Sequence, residues 1–163
     1  MSKKDAINFI NKYRTYFGSA EASFGVPAQV LLAMSAIETG WGTSEFFKNT
    51  NNMFGLKAKT PYDNASTIIS PEYEKKRKIY KASEFKKYNS FIESIYDTCL
   101  RISNNAIYKE PYNFFNKYLV THRKVYLNEG IDLLAVKWAT DPNYGDKIKN
   151  ILKRDYVREL MKW

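Results

Sequence analysis

The sequence contains little cysteine, histidine, glycine or proline. Its 163 residues include one cysteine, one histidine, 7 glycines and 5 prolines. A single cysteine excludes an intrachain disulfide, and these counts also exclude a thiolate cluster or a zinc site built on several histidines. Too little glycine and proline is present for a collagen-like or low-complexity chain. No apolar run approaches the roughly 20 residues that a membrane-spanning helix needs.

Acidic residues are outnumbered, 17 against 26 basic ones, which gives a net charge of +9. With 44% hydrophobic residues the chain is globular, and its length predicts a single domain over residues 1–163. A basic protein of this size attracts polyanions such as nucleic acid, anionic lipid or an anionic cell wall. Aromatic residues make up 16% and suit stacking on sugars or bases. Composition does not choose between these partners.

Helical periodicity accounts for most of the chain. Apolar spacing predicts a first helix that Asp5 caps and Gly18 interrupts, followed by a short helix over 19–24. A second, strongly apolar helix ends at Gly40. Residues 41–64 look irregular. Further helices are predicted at 89–104, 111–119, 129–138 and 143–161, the last with a break near Asp155.

One segment departs from this pattern. Residues 66–82 combine the β-branched run STIIS with the alternating KIYK, which predicts a hairpin with its turn near Glu74–Lys76. The expected fold class is therefore mainly α with a small β-hairpin lobe, an α+β domain. Cys99 lies on an apolar helix face and is interpreted as a buried, inert thiol.

Glu38 is the strongest candidate for catalysis. It stands in AIETGWG, at the end of the apolar second helix and beside Trp41. Burial raises the pKa of a carboxyl group, which suits a general acid that works near neutral pH. A glutamate that caps the helix end or forms an ion pair there is the structural alternative.

Three motifs occur in order along the chain: AIETGWG at 36–42, NNMFGLKA at 51–58 and WATDPNYGDKI at 138–148. Together they resemble the glucosaminidase domain of glycoside hydrolase family 73, a group that includes flagellar-rod and autolysin peptidoglycan hydrolases. The resemblance covers roughly residues 5–155. An ETGWG element alone also resembles lytic transglycosylases and other lysozyme-like enzymes.

The resemblance implies a lysozyme-like fold with two lobes and a cleft between them. It implies cleavage of the β-1,4 bond after N-acetylglucosamine in peptidoglycan, with Glu38 as general acid and without a cofactor or metal. The family's second carboxylate lies on the β lobe in a T-x-E-Y-like element, which Pro71-Glu72-Tyr73 matches best. That assignment predicts Glu72, although the threonine is absent. Glu74 is the alternative, and a solvated hairpin face is another.

Further site residues follow from the same motifs. Tyr144 matches a family tyrosine near the catalytic glutamate, and we include it among the catalytic residues. In the NNMFG loop, asparagine amides could bind sugar hydroxyls and the Phe54 ring could stack on a sugar face. The structural alternative is a tight loop in which Phe54 anchors the core. The predicted substrate-binding residues are Trp41, Asn51, Asn52, Phe54 and Tyr88.

The basic stretch Lys75–Lys78 is either a solvated face or a surface that attracts anionic wall polymers. No nucleic-acid motif accompanies it, so no nucleic-acid partner is expected, and we expect a monomer. The leading hypothesis is an endo-beta-N-acetylglucosaminidase that acts on the bacterial cell wall. A lytic transglycosylase and a non-catalytic wall-binding module are the alternatives.

The N-terminal segment MSKKDAINFINKY has no apolar stretch of the kind found in secretory signals. We therefore expect no secretory signal in this chain, which fits a bacteriophage lysis enzyme, a virion component or a trimmed catalytic domain.

Overall fold

The structure is a computed structural model that describes residues 2–59 and 63–162. These residues form a mostly helical body and one antiparallel hairpin. The elements are α1 Lys3–Phe24, α2 Ala28–Thr39, α3 Glu45–Thr50, β1 Ala65–Glu74, β2 Arg77–Lys86, α4 Phe91–Asn104, a 3-10 turn Ala106–Tyr108, α5 Lys109–Thr121, α6 Lys124–Trp138, α7 Tyr144–Leu152 and α8 Asp155–Leu160.

Helix α1 is continuous, so the predicted interruption at Gly18 is wrong. Phe17 and Ala20 are fully buried on either side of that glycine. Their packing outweighs the roughly 1 kcal/mol that glycine costs inside a helix. The cap also differs from the prediction. Ser2 caps the helix and Asp5 is its partner in a capping box, since each side chain accepts the other residue's backbone N–H.

Helix α2 forms the centre of the helical body, and both α1 and α7 pack against it. Most of its side chains are inaccessible to solvent, among them Val30, Leu31 and Met34. It ends at Gly40, which adopts the left-handed conformation with φ of 56°. The predicted apolar helix and its stop are confirmed.

The remaining helices follow the prediction, with two differences. The segment predicted to be irregular contains α3, whose first turn is capped by the Ser44 side chain. Helix α6 begins at Lys124 and not at 129, and its first turn buries Leu127. The predicted break near Asp155 separates α7 from α8, and residues 60–62 of the predicted irregular segment lie outside the described residues.

The hairpin is longer than the predicted 66–82, with Ala65 paired to Lys86 at its base. Lys75 and Lys76 form its turn, both with positive φ. Two left-handed central residues match the twist of paired strands, although glycine or asparagine usually supplies them. The predicted hairpin lobe is thus confirmed. Among the described residues, no helix has the length and apolar character needed to cross a membrane.

Cys99 is fully buried in α4, as predicted. Burial raises the pKa of its thiol to about 12. A thiol with that pKa carries almost no thiolate near neutral pH, which fits the predicted inert side chain.

Candidate active site

A cleft of about 590 Å³ lies between the hairpin and the helical body. Glu38 reaches it from the end of α2, and Tyr144 from the start of α7. Glu72 lines it from β1, and Thr140 and Asp141 line it from the segment between α6 and α7. The two carboxylates predicted from the sequence therefore face one cavity, on opposite lobes.

The Glu38 carboxyl group keeps its proton to a higher pH than an ordinary glutamate and is partly protonated near neutral pH. Burial raises its pKa to about 7, against the effect of the neighbouring Tyr144 hydroxyl, and the negative charge of Glu72 adds to the rise. The positive charge of Lys147 acts in the opposite direction. A carboxylic acid with this pKa, open to a cleft, can donate a proton to a bound substrate.

Tyr144 lies beside Glu38 and is itself buried. Burial and the adjacent Glu38 charge raise the pKa of the tyrosine well above its ordinary value, so the hydroxyl keeps its proton. The hydroxyl lies near enough to influence Glu38, yet no described residue meets strict hydrogen-bond geometry with it. A buried hydroxyl without a partner is free to bond a ligand or a water in the cleft.

Glu72 is held as a carboxylate by contacts from two directions. Its side chain is 14% exposed and pairs with Lys57, and the Thr140 hydroxyl donates to its Oε2 at 2.9 Å. The Tyr73 backbone N–H in turn donates to Thr140 Oγ1 at 3.1 Å. Burial alone would raise the pKa of Glu72, but the bonds from Lys57 and Thr140 hold it below the ordinary value. At pH values between the two pKa values, the cleft thus combines a protonated Glu38 and an ionised Glu72.

Glu74, the alternative second carboxylate, does not line the cleft. Its side chain is 57% exposed and pairs with Lys81 across the hairpin. The geometry favours Glu72 over Glu74.

Asn52 supports the loop and does not line the cleft. Its side-chain amide is fully buried and donates to the carbonyl oxygens of Leu56 and Lys86, at 2.9 Å each. Its Oδ1 accepts the backbone N–H groups of Phe54 and Leu56. Every polar atom of the amide is therefore used inside the protein. Phe54 is buried and forms part of the cleft wall.

The other three predicted substrate-binding residues also lie away from the cleft lining. Trp41 packs edge-on against Phe9, with ring centroids 5.9 Å apart, and it lines a small separate hollow beside α1. Asn51 donates to the Tyr88 carbonyl at 3.0 Å, and the Tyr88 hydroxyl donates to Asp97 at 2.5 Å. These side chains stabilise the loop and the base of the hairpin, and the geometry does not support sugar contacts for them.

Sequence reasoning missed Lys57, Thr140 and Lys147. Lys147 pairs with Asp141 at 2.5 Å, and both residues line the cleft. All three belong to the motifs quoted above. No periodicity in the sequence shows that Lys57 and Thr140 both contact Glu72 on β1. Within the described residues, no group of three or more His, Cys, Asp or Glu side chains is arranged to hold a metal ion.

The chain is similar to known proteins over most of its length. The family described as mannosyl-glycoprotein endo-beta-N-acetylglucosaminidase matches residues 14–157. The chain is 29% identical to peptidoglycan hydrolase FlgJ of Pseudomonas aeruginosa over 83% of its own length and 33% of the relative's. It is 32% identical to exo-glucosaminidase LytG of Bacillus subtilis, over 80% of this chain and 45% of that one. The chain thus spans between a third and a half of these relatives.

A solved structure shares the fold. The catalytic domain of the autolysin Auto from Listeria monocytogenes superposes with a TM-score of 0.74 at 24% identity. The match covers 99% of this chain and 88% of that domain. The predicted fold class is confirmed by this likeness and by the helical body with its single hairpin.

Proposed function

This chain belongs to the mannosyl-glycoprotein endo-beta-N-acetylglucosaminidase family of glycoside hydrolases, and from that premise we propose that it hydrolyses the β-1,4 bond after N-acetylglucosamine in peptidoglycan. The family match confirms the resemblance found in the sequence. The proposal depends chiefly on one observation: two carboxyl groups with oppositely shifted pKa values, Glu38 and Glu72, line one cleft. Glycoside hydrolysis uses such a pair.

Each proposed catalytic residue has a separate role. Glu38 donates its proton to the glycosidic oxygen of the leaving sugar, which removes negative charge from the leaving group. Glu72 remains ionised, and its charge stabilises the oxocarbenium-like transition state or activates the attacking water. The Tyr144 hydroxyl, which has no partner among the described residues, supplies a hydrogen bond to the substrate's acetamido group or to that water. Phe54 supplies an apolar part of the wall.

A second candidate, the lytic transglycosylase, needs one glutamate as acid and then base. Glu72 would have no role in that reaction. The two hydrogen-bonding contacts that keep Glu72 ionised at the cleft favour a hydrolase with two carboxylates.

We further propose that the protein acts at the bacterial cell wall as a monomer formed by a single domain over residues 1–163. The exposed cations Lys75, Lys76 and Arg77 at the hairpin tip would attract anionic wall polymers, an interaction that salt weakens. A role in bacteriophage lysis or in a virion stays a prediction from the sequence.

The products of digestion test the proposal. Purified peptidoglycan is digested, reduced with borohydride and analysed by mass spectrometry, with wild type, Glu38→Gln, Glu72→Gln and Glu74→Gln compared. We expect reduced N-acetylglucosamine ends that disappear with Glu38→Gln, fall strongly with Glu72→Gln and persist with Glu74→Gln, the matched control on the same strand. Circular dichroism verifies folding.

Each other outcome has a defined meaning. Anhydromuramic ends would identify a lytic transglycosylase, and unchanged lysis by folded Glu38→Gln would remove this residue as the general acid. Binding to the wall without any product would indicate a binding module.

A further inference from the structure

Basic side chains outnumber acidic ones in the cleft. Three carboxyl groups line it: Glu38, Glu72 and Asp141. Six basic residues line the same cavity: Lys57, Lys59, Lys78, Arg101, Lys137 and Lys147. A cavity with this balance carries a positive potential, which its low-dielectric walls strengthen.

Half of these cations have partners in the protein. Lys57 pairs with Glu72, Lys147 with Asp141, and Arg101 with Asp97 at 3.2 Å. These pairs fix the carboxylates and the base of the cleft, and they leave little charge for a ligand.

The other half have no carboxylate partner among residues 2–59 and 63–162. Lys59, Lys78 and Lys137 are solvent-exposed and form no ion pair there. Lys78 makes two weak interactions: its ammonium group lies 5.9 Å from the Tyr80 ring centroid, and its positive charge helps to lower the pKa of Asp141 without forming an ion pair. The three stand on separate elements: the segment after α3, strand β2 and the last turn of α6. Cations therefore border the cleft on both the hairpin and the helical side.

Neutral sugar rings offer these lysines no counter-charge. A glycan strand of peptidoglycan brings anions into such a cleft through the stem peptides on its muramic acid residues, which end in carboxylates. Lysine ammonium groups pair with carboxylates, and a flexible lysine accepts a range of positions. We propose that Lys59, Lys78 and Lys137 bind stem-peptide carboxylates, so that the enzyme prefers peptide-bearing glycan strands over bare ones. This inference rests on the proposed function.

Phosphate-bearing wall polymers offer the same anionic chemistry from a separate chain. The position of the cations favours the peptides, because these three lysines line the cavity in which the glycan strand itself would lie. The neighbouring tip residues Lys75, Lys76 and Arg77 do not line the cavity. They are the cations that a separate polymer would reach.

The test compares two substrates free of wall polymers: glycan strands with intact stem peptides, and strands from which an amidase has removed them. Amidase hydrolysis leaves a lactyl carboxylate on each muramic acid, so these carboxylates are converted to neutral methylamides by carbodiimide coupling before the second substrate is used. The cleft variant is Lys59→Gln/Lys78→Gln/Lys137→Gln. The matched control, Lys4→Gln/Lys109→Gln/Lys124→Gln, removes the same charge from exposed positions that do not line the cleft. For wild type we expect kcat/KM on peptide-bearing strands to be roughly tenfold higher, since exposed ion pairs are individually weak.

The cleft variant should lower that ratio to about one, and the control should keep it near the wild-type value. Equal rates for both strands with wild type, or an unchanged ratio in the cleft variant, would overturn the inference. Added wall polymer should inhibit wild type and cleft variant equally. If the cleft variant alone is no longer inhibited by added wall polymer, then Lys59, Lys78 and Lys137 bind the phosphate groups of that polymer and not the stem peptides.

Binding separates this inference from the proposed function. Affinity of both strands for the Glu38→Gln protein, measured without turnover, should show the same preference. No cleavage of either strand by wild type, together with tighter binding of peptide-bearing strands, would reject the hydrolase and keep the subsite. Equal affinity would reject the subsite whatever the activity.

Discussion

The backbone of Gly55 lies directly against the carboxyl group of Glu38. A Cβ atom at residue 55 would come within 2.7 Å of Glu38 Oε2 and 3.2 Å of the carboxyl carbon. Gly55 also has a φ of 67°, a left-handed conformation that glycine adopts without strain. The loop that the buried Asn52 amide organises therefore forms one side of the pocket for the proposed general acid.

Substituting Gly55 by alanine should displace that carboxyl group. We expect Gly55→Ala to lower kcat by roughly 100-fold, because a misplacement of about 1 Å has that effect on a reacting group. The free energy of unfolding should fall by about 1–2 kcal/mol from the left-handed backbone. Steady-state kinetics and urea denaturation measure the two effects.

Gly18→Ala is the matched control, since Gly18 lies inside α1 and has open space around it. It should leave kcat unchanged and stabilise the helix by about 1 kcal/mol. Equal loss of activity in both variants would contradict the positioning role of Gly55.

The pH dependence of activity should follow the two carboxyl groups. Glu38 must be protonated to act as an acid, and burial raises its pKa to about 7, so kcat/KM should fall as the pH rises through about 7. The pKa of Glu72 lies below the ordinary value of 4.5, which places the acidic limb under that value. Initial rates between pH 3 and 9 at constant ionic strength measure both limbs. If kcat/KM instead falls as the pH rises through about 4.5, the raised pKa of Glu38 is contradicted.

Glu38 should also make stability depend on pH. Its pKa is raised from 4.5 in the unfolded chain to about 7 in the fold, so its ionisation favours unfolding. The protonated Glu38 therefore contributes to the free energy of unfolding. That stabilising contribution is complete below pH 4.5 and is lost as the pH rises through about 7. Relative to Glu38→Gln, the wild type should lose about 3 kcal/mol of unfolding free energy over that interval. Urea denaturation at several pH values tests this, and parallel curves for both proteins would contradict it.

Thr140 should control the charge state of Glu72 across the cleft. Thr140→Val removes the donor to Glu72 Oε2 and the acceptor for the Tyr73 N–H. We expect kcat to fall roughly tenfold, as for the loss of a hydrogen bond to a charged group, and the acidic limb of the pH profile to move upward. Thr121→Val, which loses a bond within exposed α5, is the control. An unmoved acidic limb would show that Thr140 has a structural role only.

The sequence predicts the helical body and the elements that carry Glu38 and Glu72 well, because these elements depend on local signals; the catalytic roles of the two residues stay predictions. Apolar periodicity and Gly40 define α2, and this helix places Glu38 in a buried position. Alternation and the turn define the hairpin that carries Glu72. Tyr144 came from a family motif, and the structure brings it beside Glu38.

The sequence does not show contacts between side chains that lie far apart along the chain. A buried amide such as Asn52 looks the same in a sequence whether it bonds a sugar or the carbonyl of Lys86, 34 residues away. The contact between Thr140 and Glu72 joins residues 68 positions apart. Helix α3 was missed because six residues are too few to show a helical period.

The two walls of the cleft differ in how they are stabilised. The helical wall belongs to a continuous apolar core, whereas a two-stranded hairpin is marginal by itself in water. Backbone bonds from the 56–58 segment join its base, at 2.8 Å each, and Thr140 and Lys57 join it near the tip. We therefore expect the half-life of activity at elevated temperature to depend on the stability of the hairpin, which has 22 residues. Heat inactivation should precede global unfolding, and a better turn at Lys75-Lys76 would extend the enzyme's half-life more than any repacking of the core.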